Sequence, residues 1–312
     1  MFPCNIRLFG KFSIQHNDSE LGSFPSAKAK ELFCYLLLHR DRSHSREVLA
    51  SLLWGDCPTP QSKRYFRQTL WQLQQTLHGH SSGNSTRLLQ VDDESLRLDS
   101  QPQLWLDVAV FEEAFVPVRG VAGEQVNKEQ ARALHDAISL YKGDLLEGHY
   151  QDWCLFHRER LQNIYISMLD KLMGYSEVHR KFEAGMAYGE LLLQQDHARE
   201  RTYYRLMRLH YLAGDRAGAL RQFQRCEATL QKELGVPPSR RTVELRDQVR
   251  TDKLETDSHA IGQWRESSTD GISKSLFLSR LREIRSLLLK AQHRIDCEIL
   301  GVDTKSATKF HR

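Results

Sequence analysis

Residues 62–77 read SKRYFRQTLWQLQQTL, a stretch whose cations, amides and indole could do chemistry together. Lys63, Arg64, Arg67, Gln68, Trp71, Gln72 and Gln75 recur within four helical turns. An arginine can fork onto O6 and N7 of guanine, and a glutamine can bridge N6 and N7 of adenine. Each such pair discriminates by about 1–3 kcal/mol. Lys63 and Arg64 stand where a helix begins, and helix N-termini already favour phosphate. The Trp71 ring could lie on a sugar or a thymine methyl. From 58 to 91 the sequence carries Lys63, Arg64, Arg67, Arg87, His78 and His80 and no acidic residue. A one-signed stretch in a chain of net charge +4 points to a specific electrostatic surface. Two plainer readings stay open: the glutamines as helix-forming solvent residues, and Trp71 as a cover for a neighbouring domain.

These side chains act together only if the segment is held as a helix. Phe66, Leu70, Leu73 and Leu77 are spaced four, three and four apart, which predicts a helix with one buried stripe, starting near Gln61 or Ser62 after the prolines of DCPTPQ. Upstream, CNIRLFGKFSIQ alternates Ile6, Leu8, Phe12 and Ile14 as one half-buried strand. AKAKELFCYLLLHRD predicts a helix on Leu32, Phe33, Leu36 and Leu37. A second helix runs from about Ser45 to a stop at Gly55. Downstream, RLLQVDDESLRLD predicts a hairpin. Arg87 and Arg97 flank it as further phosphate contacts, while the acidic tip Asp92, Asp93 and Glu94 is expected to point away from any phosphate backbone. Strand, three helices and hairpin make a winged helix-turn-helix over 1–106.

From 107 to 253 the strands disappear, and NKEQARALHDAISLY and its successors predict packed amphipathic helices. Tyr203, Leu206, Ala219 and Phe223 fall at the large and small offsets of a tetratricopeptide repeat, with Ala187 and Ala219 as the small residues that let helices approach. An irregular bundle is the other reading. A polar linker is expected over 254–272 and a C-terminal helix of unknown role over 273–312. The fold class is therefore mainly α with a small β component.

The remaining motifs mostly exclude. There is no metalloprotease, nucleophile-elbow, dinucleotide or P-loop signature, so no enzyme activity, catalytic residue, cofactor or metal is expected. His149, Asp152, Cys154 and His157 cluster in sequence, but Trp153, Leu155 and Phe156 among them favour a helix start packed into the core. The six cysteines lack paired spacing and read as buried small hydrophobes. No apolar run is long enough to span a bilayer and no signal peptide is visible, so a cytoplasmic protein with no membrane partner is expected.

ISLYKGDLLEG, DWCLFHRERL and QKELGVPPSRRTVEL resemble the signature stretches of the bacterial transcriptional activator domain (BTAD). LFGKFSI, AKELFCYLLLHRD, RQTLWQLQQTL, SLRLD and LDVAVFEEAF resemble the OmpR-type winged helix that precedes it in SARP-type regulators, so the likeness covers about 5–250. It implies a winged helix packed on a tetratricopeptide-like helical domain. It also implies transcription activation through promoter direct repeats of double-stranded DNA and contact with RNA polymerase, as a homodimer or in tandem copies. Two departures stand out: Trp71, Gln72, Gln74 and Gln75 replace the family's usual arginines, and the tail matches no known pattern. An unidentified small-molecule effector is compatible with this reading. The rival from another class is a helical-repeat adaptor whose winged helix does not bind DNA.

Overall fold

The computed structural model describes residues 4–16, 19–20, 24–78, 88–99 and 104–253. Arg87, the expected linker over 254–272 and the expected C-terminal helix lie outside them. The N-terminal alternation is a hairpin rather than one strand. β1 (Cys4–Arg7) pairs antiparallel with β2 (Ser13–His16), with Ile6 opposite Ile14. The reversal is possible because Gly10 takes φ 75°, a left-handed conformation that costs glycine little. β3 (Ser19–Glu20) flanks β2, and β7 (Leu104–Leu106) lies parallel to β1, giving the order β3-β2-β1-β7.

Three helices follow β3. Nine of the twelve residues of α1 (Ala27–Leu38) are buried, so it is the central helix of this half, and the Ser26 hydroxyl caps it by accepting from the Ala29 N–H. α2 (Arg46–Leu53) buries Leu49, Ala50 and Leu53. α3 (Thr59–His78) begins earlier than the prolines suggested. Pro60 fits its first turn because no intrahelical N–H partner is needed there. β5 (Leu89–Val91) and β6 (Ser95–Leu98) form the wing hairpin, and the short β4 (His44–Ser45) adds a third strand beside β6.

The helical half starts at α4 (Asp107–Phe115) and α5 (Lys128–Ile138), continues through the 27-residue α6 (Asp152–Val178), and closes with α7 (Phe182–Gln195), α8 (Glu200–Leu212), α9 (Arg216–Leu234) and α10 (Arg240–Thr251). Tyr203, Leu206, Ala219 and Phe223 are all buried where α8 packs on α9. Ala187, in contrast, is exposed. The close approach of α7 to its neighbours uses Gly185 and Gly189, one turn apart on its buried face. A β-carbon at Gly189 would stand 2.6 Å from a Leu206 methyl. The start of α6 is also phased differently from expectation. Cys154, His157 and Leu161 point inward, so Leu155 and Phe156 face solvent, Phe156 at 66% exposure.

The two halves share one hydrophobic core, running from Ile6 and Leu8 through Phe111 and Leu134 to Leu172. Asp107 pins them. Its buried carboxylate accepts from the N–H groups of Leu8, Phe9 and Val108 at 2.7–3.0 Å. Burial pushes its pKa above the ordinary carboxylate range despite those donors. Beyond it, Phe9 bridges Leu145, and the Gly10 N–H donates to the Asp144 carbonyl. Tyr35 of α1 meets Trp153 edge-on, the His39 and His157 rings approach to 3.2 Å between their Nε2 atoms, and Glu112 bridges Arg40 and Arg160.

Candidate nucleic-acid interface

α3 is amphipathic in three dimensions as in sequence. Ser62, Phe66, Thr69, Leu70 and Leu73 are buried, and Leu77 packs at the edge of the core. This stripe lies on α1 and α2 and fixes the helix about its own axis. The first turn is tied by the Ser62 hydroxyl donating to the Thr59 carbonyl. Tyr65 accepts from the Gln61 amide and leans on Trp54, with ring centroids 6.3 Å apart.

The opposite face carries Lys63, Arg64, Arg67, Gln68, Trp71 and Gln75, all exposed. Trp71 is 61% exposed, so it does not cover the helical half. Gln72 departs from this group. It is half-buried, and its Oε1 accepts from the Ser26 hydroxyl at 3.1 Å, tying α3 to the start of α1. Among the described residues the side chains of Arg64 and Arg67 make neither an ion pair nor a hydrogen bond. Lys63 differs: its ammonium sits 2.5 Å from the Glu47 carboxylate on the first turn of α2. That hydrogen bond, and the charge behind it, hold Glu47 below the usual carboxylate range.

Arg46 and Glu47 are the residues the sequence reading missed. The Arg46 guanidinium donates to the Asp92 and Asp93 carbonyls, and its backbone N–H to the Glu94 carbonyl, so the start of α2 holds the wing turn. A groove of about 350 Å³ runs between α2, α3 and the turn, lined by Arg46, Glu47, Lys63, Phe66, Arg67 and Asp93. Asp93, one of the three acids of the wing tip, therefore borders the basic face. REV opens α2, but no spacing in the sequence ties it to Lys63; the contact comes from the packing of α2 on α3. On the wing, the exposed Arg97 donates from Nε to Gln90 across the hairpin at 2.7 Å.

Among the described residues no group of histidine, cysteine, aspartate or glutamate is arranged to hold a metal ion, and no helix is long and apolar enough to cross a membrane. Cys154 points its thiol at the Leu145 carbonyl, and burial raises its pKa.

Residues 106–250 match the family model described as Bacterial transcriptional activator domain. No curated protein matches the chain. Among solved structures, EmbR of Mycobacterium tuberculosis, in complex with a low-affinity phosphopeptide, resembles it with a TM-score of 0.60 at 18% identity, over 82% of this chain and 67% of that one. At that identity the likeness is one of fold, and it spans both the winged helix and the helical half.

Proposed function

We propose that this chain, a SARP-type regulator whose residues 106–250 are a bacterial transcriptional activator domain, is a sequence-specific DNA-binding transcription activator that lays α3 in the major groove of promoter repeats. The observation that carries the reading is the exposed face of α3. Arg64, Arg67, Gln68, Trp71 and Gln75 project from a helix whose other side is locked into the core. An α-helix fits the major groove, and its outward side chains meet base edges. Trp71, 61% exposed on that face, adds a ring that can lie against a sugar or a thymine methyl.

Arg97, on the exposed side of the wing, is positioned for a phosphate. Arg87 belongs to the same proposal on sequence grounds. Gln72 is assigned to positioning α3, since Ser26 already occupies its amide oxygen. The division into a DNA-binding part over 1–106 and a helical part over 107–253 is functional, because their core is continuous. The helical part serves pairing of copies, polymerase contact or effector sensing.

The test is selection of bound duplexes from a random DNA pool with the full-length chain. A recovered motif that recurs as spaced direct repeats, bound with steep salt dependence, is the expected outcome. No enrichment and no salt-dependent binding would leave the helical-repeat adaptor as the better description.

A further inference from the structure

Lys63 and Glu47 form an ion pair on the face assigned to DNA, and stability does not explain its placement. Both side chains are well exposed, at 46% and 73%, and pairs of that kind contribute little to folding. Glu47 also suits the α2 N-terminus, where the dipole favours an acid, but that preference does not require a lysine partner on α3. The consequence falls on the binding surface. Of the three cations in the first half of α3, only Arg64 and Arg67 make no ion pair among the described residues. The adjoining groove is also lined by Asp93, so two carboxylates share it with Arg46, Lys63 and Arg67.

We propose that Glu47 tempers the DNA affinity of this face: it neutralises Lys63 within the protein and keeps a carboxylate beside the DNA path, suppressing sequence-independent phosphate binding so that base contacts carry a larger share of recognition. The proposal rests on the DNA-binding reading above. Affinity for the phosphate backbone grows with the number of cations that displace counterions. A lysine held by a carboxylate contributes less than a full charge, and the carboxylate repels the strand that approaches it. Base contacts are unaffected by either loss, so they make up a larger share of the binding to a selected sequence. The sequence fits this division, because the second half of α3 offers Gln68, Trp71 and Gln75 in place of further cations.

The experiment is a double-variant cycle on the full-length chain, with Glu47→Gln, Lys63→Gln and both together. Binding to a random-sequence duplex and to a selected duplex is titrated across salt concentrations, and thermal melting confirms the fold. Glu47→Gln is expected to bind the random duplex several-fold more tightly and to steepen its salt slope by about 1. Its affinity for the selected duplex should rise by a similar factor, because a phosphate contact acts on every sequence alike. With Lys63 already replaced, most of that gain should vanish, whereas an effect through the helix dipole alone would persist unchanged. Glu47→Gln indistinguishable from wild type in slope and affinity overturns the proposal, as does an equal gain in the Lys63→Gln background. Wild-type protein without salt-dependent binding to either duplex overturns the parent reading as well, which separates the two failures.

Discussion

The arginines of α3 and those of α8 are the same residue type in opposite situations. On α8, Arg205 is almost fully buried. It donates to the Asp170 carbonyl and carboxylate at 3.1 and 3.3 Å and pairs with Glu124. Arg208 donates to Glu177 at 2.9 Å, and Arg199 and Arg201 converge on Asp170 as well. Burial alone would raise the Asp170 pKa, but Arg205, Arg201 and Arg199 together hold it below the ordinary range. On α3, Arg64 and Arg67 stand in solvent without an ion pair among the described residues. One set has its counter-charges supplied by the fold. The other has them left to be supplied from outside, and net charge could not tell them apart.

The comparison breaks most visibly at Arg205. Arg205→Ala removes the ion pair of Glu124 and leaves Asp170 with Arg199 and Arg201 alone, and losing one partner of a buried ion pair costs at most about 3–5 kcal/mol. Chemical denaturation should show that loss. Asp107→Ala comes next, since three buried N–H groups lose their acceptor at once, at about 2–4 kcal/mol. It should also loosen the winged helix from the helical half, read as faster hydrogen exchange at Leu8 and Phe9. Arg64→Ala and Arg67→Ala should invert this pattern. Each is expected to leave the denaturation midpoint nearly unchanged while weakening binding to a selected duplex by about 1–3 kcal/mol.

The smallest effect sharpens the junction between the halves. Burial, then the neighbouring His157, lowers His39 to about 4, and burial also lowers His157. A base whose folded pKa lies below its unfolded value of about 6.5 contributes stability that is present above that value and is lost as pH falls towards about 4. Melting temperature should therefore decline through that window. Replacing both histidines with asparagine should flatten the part of the decline between about pH 6.5 and 5, where few carboxylates titrate.

Much of this was legible in the sequence for reasons that are local. The stripe of Phe66, Leu70 and Leu73 has helical spacing, and it is the buried face of α3. Tyr203, Leu206, Ala219 and Phe223 keep repeat spacing, and all four are buried. What escaped depended on contacts between distant residues or on backbone conformation. The first strand is two because Gly10 reverses the chain. Ala187 looked like the small contact residue by its spacing, but helix phase turned it outward and placed Gly185 and Gly189 at the contact. Gln72 cannot be separated from Gln75 by composition, since the difference is a serine 46 residues upstream. Glu47 lay outside the acid-free stretch and so looked irrelevant to it, yet the turn between α2 and α3 brings it against Lys63.

The central claim is that the free arginines of α3 meet the phosphates and bases of DNA. It is tested most directly by the slope of log affinity against log salt for the full-length chain and its Arg64→Ala, Arg67→Ala double variant on a selected duplex. The account predicts a steep negative slope for the native chain, shallower by about 1–2 in the variant, with an unchanged melting temperature. A variant with the same slope and affinity as the native chain would contradict it.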